Sequence, residues 1–172
     1  MIDDIYQSAN RGINHIKLKV LLSEQDKRNI SPVIRSLMPP VEIGSITLVD
    51  QIVLLSLAKL TAAESIIEIG TYLGYSTALF AMNTNAKIFS IDLPKIAHRQ
   101  EDFDEDLLLN DGNYNDDFLR FEQNNKGEIY LNHLNHDERS NISLIKADST
   151  SIDFVKKFGS ADFVFIDGGH ER

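Results

Sequence analysis

The chain has 172 residues, of which 42% are hydrophobic and 25% charged, as is typical of one globular domain with a sizeable core. Its 17 basic and 26 acidic residues give a formal net charge of −9, which disfavours binding to a nucleic-acid backbone, because such binding normally requires a basic face. There is no cysteine, which excludes disulfides, thiolate metal sites and a cysteine nucleophile.

The sequence predicts neither a secreted nor a membrane-spanning protein. Asp3 and Asp4 follow Met1 where a secretory signal would carry basic and then apolar residues. The longest apolar stretch, residues 51–60, is too short to span a bilayer. We therefore expect a cytoplasmic protein that binds neither a membrane nor nucleic acid.

Two helices are predicted in an N-terminal segment, residues 1–44, that precedes the main domain, residues 45–172. The first covers residues 3–21 and has one apolar face, formed by Ile5, Ala9, Ile13, Ile16 and Val20. The second is short. It follows Ser31-Pro32, because proline is favoured in a first helical turn, and it ends before the prolines at 39–40.

Helices and strands alternate in the main domain. A helix at Thr47–Leu60 leads into a strand, and the further predictions are strand 65–69, helix 75–83, strand 87–92, strand 142–148, a short helix near 151–158 and strand 162–167. Strands rich in β-branched and aromatic residues that alternate with helices predict an α/β fold. Its sheet is expected to be mostly parallel, with helices on both faces.

An acidic insertion is predicted at about residues 94–140, between the second and third strands. Residues 101–117 within it carry eight acidic side chains and no basic one. We interpret this run as a solvated insertion. The alternatives are a lid over a site or a surface for a basic partner.

Each predicted strand ends in an acid: Glu68, Asp92, Asp148 and Asp167. One acid after a strand is often a helix N-cap. Four acids at the carboxyl ends of parallel strands predict one shared crevice, since ligands of such sheets bind at that edge.

The turn after the first strand is rich in glycine, in the segment IIEIGTYLGYST. Gly70 and Gly74 allow a tight turn and a close approach of a ligand to the backbone. Their G-x-x-x-G spacing differs from the dinucleotide fingerprint and from the P-loop. Glu68 beside them favours a ligand with a positive or hydroxyl-rich part over a pyrophosphate. The alternative is a strand-to-helix turn without a ligand.

Four segments in order resemble the motifs of the class I S-adenosylmethionine-dependent methyltransferases, the Rossmann-like family. They are IIEIGTYLGYST, FSIDLP, LIKADST and DFVFIDGGHER. The last is similar to a motif of the branch that contains sugar and antibiotic O-methyltransferases, as is the helix that precedes the first strand. The resemblance covers residues 45–172, with the insertion as a gap. It implies a doubly wound, Rossmann-like sheet and an S-adenosyl-L-methionine site.

The resemblance also implies roles for residues of the glycine turn. Gly70 and Gly74 would pack under the methionine and ribose parts of the cofactor, and Thr71 and Ser76 would contribute from the same turn. Glu68 would lie close by, in direct contact or through water.

At the other strand ends, Asp92 would accept hydrogen bonds from the two ribose hydroxyls. Asp148 would meet the adenine amino group, with the backbone of Ser149 near the ring. Asp167 would lie at the methyl-transfer centre. The alternative for Asp92 and for Asp148 is an N-cap.

Catalytic candidates follow the fourth strand. His170 is the candidate base, because a neutral imidazole accepts a proton near pH 7, and a structural histidine is the alternative. Asp167 is a candidate ligand of Mg²⁺, a cation that prefers carboxylate oxygens.

Compared with the family, the sequence stops after the fourth strand, and about three further strands would be expected. The fourth strand would then be an open edge, and either this edge or the N-terminal helices could form a homo-oligomer. The sequence thus predicts an O-methyltransferase, or its cofactor-binding portion, for a small acceptor such as a sugar, antibiotic or phenol. The alternatives are a non-catalytic cofactor-binding or association domain and, disfavoured by the glycine spacing, a nicotinamide-dependent enzyme.

Overall fold

A computed structural model of the chain describes residues 17–31, 33–37, 46–94 and 112–168, without the side chains of residues 112, 113, 115 and 116. The chain divides into two compact units, Met1–Val33 and Ile34–Arg172. The predicted boundary between residues 44 and 45 stays a prediction. Within the described ranges, no helix is long and apolar enough to cross a membrane.

The first unit contains helix α1, Leu18–Lys27. The predicted helix was to end at residue 21, whereas α1 continues to Lys27; its predicted start lies outside the described residues. The extension contains no glycine or proline. Glu24 pairs there with Lys27 and Arg28, one helical turn further on, at 3.4 and 3.1 Å. These pairs and the absence of a helix breaker explain why the helix continues.

The helix predicted after Pro32 is wrong for residues 33–37, which are neither helix nor strand. The Arg35 backbone N–H donates to Asn83 Oδ1 at 2.7 Å, and Asn83 Nδ2 donates to the Arg35 carbonyl at 2.6 Å. The Asn83 side chain, 48 residues away in the sequence, thus hydrogen-bonds both backbone polar groups of Arg35. In a helix, these groups would bond to the backbone of the same helix. The Arg35 guanidinium also contacts Glu138 at 2.5 Å.

The second unit alternates helices and strands: α2 Leu48–Leu60, β1 Ser65–Ile69, α3 Tyr75–Asn83, β2 Lys87–Asp92, α4 Gly112–Lys126, α5 His136–Ser140, β3 Ile142–Lys146, α6 Phe154–Phe158 and β4 Phe163–Ile166. Two 3₁₀ turns lie between them, Ile129–His133 and Ser149–Ser151. The predictions for β1, α3 and β2 are confirmed to the residue, and that for α2 within one residue. The third and fourth strands are slightly shorter than predicted.

The described strands form one parallel sheet in the order β3-β2-β1-β4. The chain builds outward from β1 to β2 and β3, and then returns to add β4 on the other side of β1. The strand order therefore reverses between β1 and β4, which is the topological switch point of a doubly wound sheet. The predicted α/β, Rossmann-like architecture is confirmed.

Both faces of the sheet carry helices. On one face, Ile66 and Ile88 pack with Leu55 of α2 and Phe80 of α3, and all four are fully buried. Each such side chain contributes roughly 1.5–3 kcal/mol of burial free energy. On the other face, the Phe89 ring lies 4.9 Å from that of Phe158 in α6. The core therefore lies mainly on the face of the sheet that α2 and α3 cover.

Candidate functional site

The carboxyl ends of the four strands meet at one edge of the sheet. Backbone hydrogen bonds join them: Gly70 N–H to Ile91 O, Ala147 N–H to Asp92 O, and Asp167 N–H to Ile69 O, each at 2.8 Å. The four acids thus lie at the same edge of the sheet, whereas the shared crevice expected from the sequence stays a prediction. Their side chains, however, lie in different surroundings.

The glycine turn between β1 and α3 has left-handed backbone angles. Gly70 has a φ of 103° and Gly74 a φ of 84°. A Cβ at Gly70 would lie 2.1 Å from the Asp167 carbonyl oxygen, and a Cβ at Gly74 would lie 2.9 Å from Leu131 Cγ. Contacts within the chain thus already require glycine at both positions. Their role under a ligand stays a prediction.

Glu68 is fully buried beneath this turn. The Ser76 hydroxyl donates to Oε1 at 2.5 Å, and the Ser90 hydroxyl to Oε2 at 2.5 Å. The Thr77 hydroxyl also donates to Oε2. The Thr71 hydroxyl lies 2.7 Å from that of Ser90 and extends the network to the turn. The network links β1, β2 and the start of α3.

Burial raises the pKa of Glu68 above its ordinary value, and the nearby charge of Asp92 acts in the same direction. The hydroxyls of Ser76, Ser90 and Thr77 oppose this shift, because they stabilise the carboxylate. Through its bonds to these hydroxyls, Glu68 stabilises the turn from the interior of the protein. Its contact with a cofactor, and those of Thr71 and Ser76, stay predictions.

Asp92 at the end of β2 is only partly buried, with 16% of its side chain exposed. Its Oδ2 accepts from the Tyr72 N–H at 3.0 Å and from Gln123 Nε2 at 2.5 Å, and its Oδ1 accepts from the Leu93 N–H at 2.8 Å. Lys146 Nζ lies 3.9 Å from Oδ2. The carboxylate is thus fixed by the glycine turn on one side and by α4 on the other.

Gln123 is a site residue that the sequence reasoning missed. It lies in α4, which falls inside the predicted insertion, and its amide reaches both Asp92 and, at 3.0 Å, the Tyr72 carbonyl. A glutamine in a polar segment carries no sequence signal for such a role. Lys146 was also missed; its Nζ contacts Glu128 at 2.5 Å.

Asp148 follows β3 and is exposed. Its Oδ1 accepts from the backbone N–H of Thr150 at 2.8 Å and from the Thr150 hydroxyl at 2.7 Å, so it caps the 3₁₀ turn Ser149–Ser151. These bonds, the hydroxyl first, lower the pKa of Asp148. Among the described residues, none donates to Oδ2, and the side chain is open to solvent. The predicted adenine contacts of Asp148 and Ser149 stay predictions.

Asp167 follows β4 with an exposed side chain, while its carbonyl packs against Gly70. His170, the candidate base, lies outside the described residues. In the part of the chain that the structure describes, no three His, Asp or Glu side chains form a group that could hold a metal ion. Binding of Mg²⁺ at Asp167 stays a prediction.

Comparisons with known proteins give distant structural likenesses. No protein-family profile and no curated protein matches the chain. Among solved structures, an O-methyltransferase from Bacillus cereus in complex with SAH is 17% identical, with a TM-score of 0.43, and the match covers 98% of this chain and 61% of that one. TomG from Streptomyces achromogenes, an O-methyltransferase involved in tomaymycin synthesis and solved with SAM, is 15% identical, with a TM-score of 0.43 and coverages of 96% and 59%.

A third solved structure is cofactor-bound Rv0187 from MTB, which is 15% identical, with a TM-score of 0.41 and coverages of 96% and 58%. This chain therefore spans about three fifths of the length of these proteins. At such low identities and TM-scores, no residue role is transferred from them to this chain.

Proposed function

We propose that this chain is the cofactor-binding part of an S-adenosyl-L-methionine-dependent methyltransferase. Its acceptor would be a small hydroxylated molecule such as a sugar, an antibiotic or a phenol. The observation that carries the proposal is the position of Asp92. A partly exposed carboxylate at the end of β2, next to the switch point of a doubly wound sheet, is suited to accept hydrogen bonds from a ribose diol.

The neighbouring strand supports an adenosyl ligand. Asp148 offers Oδ2 as an acceptor for an exocyclic amino group, and the Ala147 N–H to Asp92 carbonyl bond holds the ends of β2 and β3 together. Two carboxylates at adjoining strand ends favour a nucleoside with hydroxyl and amino donors. The same carboxylates disfavour a phosphate group. The four sequence motifs named above agree with this assignment.

In methyl transfer, the bound cofactor supplies a methyl group already activated on a sulfonium. The role of the chain is then to orient the cofactor and the acceptor and to exclude side reactions. Positioning of the reacting groups alone contributes up to roughly 7–11 kcal/mol in the best cases. As the sequence resemblance implies, the Gly70 turn and Asp167 would border the reacting methyl group; their backbones are in contact. His170 is proposed as the base that takes the proton from the acceptor hydroxyl.

Isothermal titration calorimetry of the chain with S-adenosylmethionine, SAH and NAD⁺ tests the proposal. We expect binding of the first two and weaker or no binding of NAD⁺. Asp92→Asn should weaken SAH binding about 10- to 100-fold, because it removes a charge-assisted acceptor. Asp137→Asn, an exposed acid of α5, is the matched control and should leave the affinity unchanged. Preferential NAD⁺ binding, or equal SAH affinities in the wild type and Asp92→Asn, would contradict the proposal.

A second candidate is a non-catalytic domain that associates through β4. Val164 and Ile166 of that strand are 52% and 70% exposed, which is high for large apolar side chains. A methyl-transfer assay with labelled S-adenosylmethionine and a panel of sugars and phenols separates the two. Transfer supports the first candidate. Binding without transfer, together with a dimer mass that Val164→Thr and Ile166→Thr abolish, supports the second.

A further inference from the structure

The amide of Gln123 is inserted between β2 and the glycine turn. The residue is 8% exposed, and its side-chain nitrogen donates both to Asp92 Oδ2, at 2.5 Å, and to the Tyr72 carbonyl, at 3.0 Å. Both hydrogens of the amide are therefore used. Through Gln123, helix α4 thus contacts the carboxylate on which the proposed function rests.

The hydrogen-bonding capacity of Asp92 is nearly exhausted in this arrangement. An ionised carboxylate offers about four acceptor positions, two on each oxygen. Among the described residues, Leu93 fills one position on Oδ1, and Tyr72 and Gln123 fill both on Oδ2. Lys146 Nζ, at 3.9 Å, is too far for a hydrogen bond. One position remains, whereas two vicinal ribose hydroxyls need two.

The three donors differ in how readily they leave. Tyr72 and Leu93 donate through the backbone, and the Tyr72 N–H belongs to a turn that Gly70 and Gly74 hold in left-handed angles. Gln123 donates through a side chain with three rotatable bonds, so it can withdraw by a change of rotamer without a change of fold.

We infer that Gln123 occupies the position of one ribose hydroxyl on Asp92, and that an adenosyl ligand must displace this amide to bind with both hydroxyls. This inference rests on the proposed function. It makes Gln123 a determinant of affinity: the hydrogen bonds that it makes to Asp92 and Tyr72 before binding are lost on binding. Removal of the amide should therefore tighten the binding of the ligand.

The test compares two ligands on the whole chain by calorimetry, SAH and its 3′-deoxyribose analogue. Gln123→Met keeps the length and removes the amide. It should tighten SAH binding about two- to tenfold, the equivalent of one net hydrogen bond, and leave the 3′-deoxy analogue nearly unchanged, because one hydroxyl fits beside Gln123. Gln25→Met, which replaces a buried glutamine of α1, is the matched control and should change neither affinity.

Weaker SAH binding in Gln123→Met would overturn the inference and show that Gln123 positions Asp92 for the ligand. Equal tightening of both ligands would overturn it as well. If neither the wild type nor Gln123→Met binds SAH, the proposed function itself fails. If the wild type binds SAH but the variant does not respond as expected, the inference alone fails.

A measurement on the wild-type chain covers the case in which Gln123→Met does not fold. The side-chain amide of Gln123 is observed by ¹⁵N–¹H NMR, with its hydrogen exchange followed during titration with SAH. We expect the amide hydrogens to be protected in the free chain and to exchange at least tenfold faster at saturation. Unchanged protection at saturating SAH would show that the amide stays on Asp92 and would overturn the inference.

Discussion

Gly70 and Asp167 are in contact backbone to backbone. A Cβ at Gly70 would lie 2.1 Å from the carbonyl oxygen of Asp167 and 2.6 Å from its carbonyl carbon. The ends of β1 and β4 thus leave no room for a side chain between their backbones at this point. This contact lies at the switch point of the sheet. A substitution that forces the two backbones apart should lower the free energy of unfolding.

Gly70→Ala should lower the free energy of unfolding by about 3 kcal/mol or more. The new methyl group meets backbone atoms that cannot rotate away, and the φ of 103° adds strain for any residue with a Cβ. Gly127→Ala is the control: it has a φ of 66° and open space around the new Cβ, so only about 1 kcal/mol is expected. Urea denaturation measures both, and equal losses would show that the close contact is not important.

Glu68→Gln should change the pH dependence of stability. Because burial raises the pKa of Glu68 in the folded protein, the folded state holds its proton in a pH range where the unfolded chain has released it. The wild type should therefore lose stability relative to Glu68→Gln as pH rises from about 4.3, the ordinary pKa of glutamate, through the raised value.

Urea denaturation at pH 4, 5, 6 and 7 on both proteins tests this prediction about Glu68. A gap that grows with pH in favour of the glutamine variant is expected. The opposite trend would mean that the hydroxyls of Ser76, Thr77 and Ser90 stabilise the carboxylate by more than burial penalises it.

Asn83→Ala should destabilise the second unit by about 1–3 kcal/mol, since it removes both hydrogen bonds to the Arg35 backbone. Arg35→Ala, in contrast, removes the ion pair with Glu138 and keeps the backbone bonds. Because the Arg35 side chain is 59% exposed, this loss should stay below about 1 kcal/mol. Thermal unfolding of the two variants ranks the effects. A larger loss for Arg35→Ala would contradict the assigned roles.

Asp148 allows capping to be separated from ligand binding. Asp148→Asn should keep the turn, since asparagine caps as well as aspartate, and yet weaken SAH binding by loss of the charged acceptor. Asp148→Ala should reduce both stability and affinity. Asp153→Ala, which removes the N-cap of α6, is the control that should reduce stability alone. Unchanged SAH affinity in Asp148→Asn would restrict this residue to capping.

The sequence predicts the central part of the fold to the residue, because the signals there are local. Isoleucines define β1, isoleucines and a phenylalanine define β2, and Gly74 precedes α3 as its N-cap. The error after Pro32 has a non-local cause: the proline signal for a helix is outweighed by the bonds from Asn83, which no local pattern reveals.

The candidate site is predictable to a smaller extent. Parallel strands place their carboxyl ends at one edge, so the common edge of the four acids follows from the sequence alone. The burial of Glu68 depends on α3 packing over that face of β1, and the contact of Gln123 with Asp92 depends on where α4 docks. Both are tertiary facts without a sequence pattern of their own.

The position of β1 in the sheet has a consequence for the order of assembly. Ile66 pairs with nearby Ile88 on one side and with distant Phe163 on the other. Closing the longer segment carries the larger loss of chain entropy, so we expect β4 to be the last strand to gain protected amides during refolding. The contact of the Asp167 backbone with Gly70 then forms only at the end, and a chain that stops before that step would have β1, β2 and β3 paired but would lack the Gly70–Asp167 side of the candidate site.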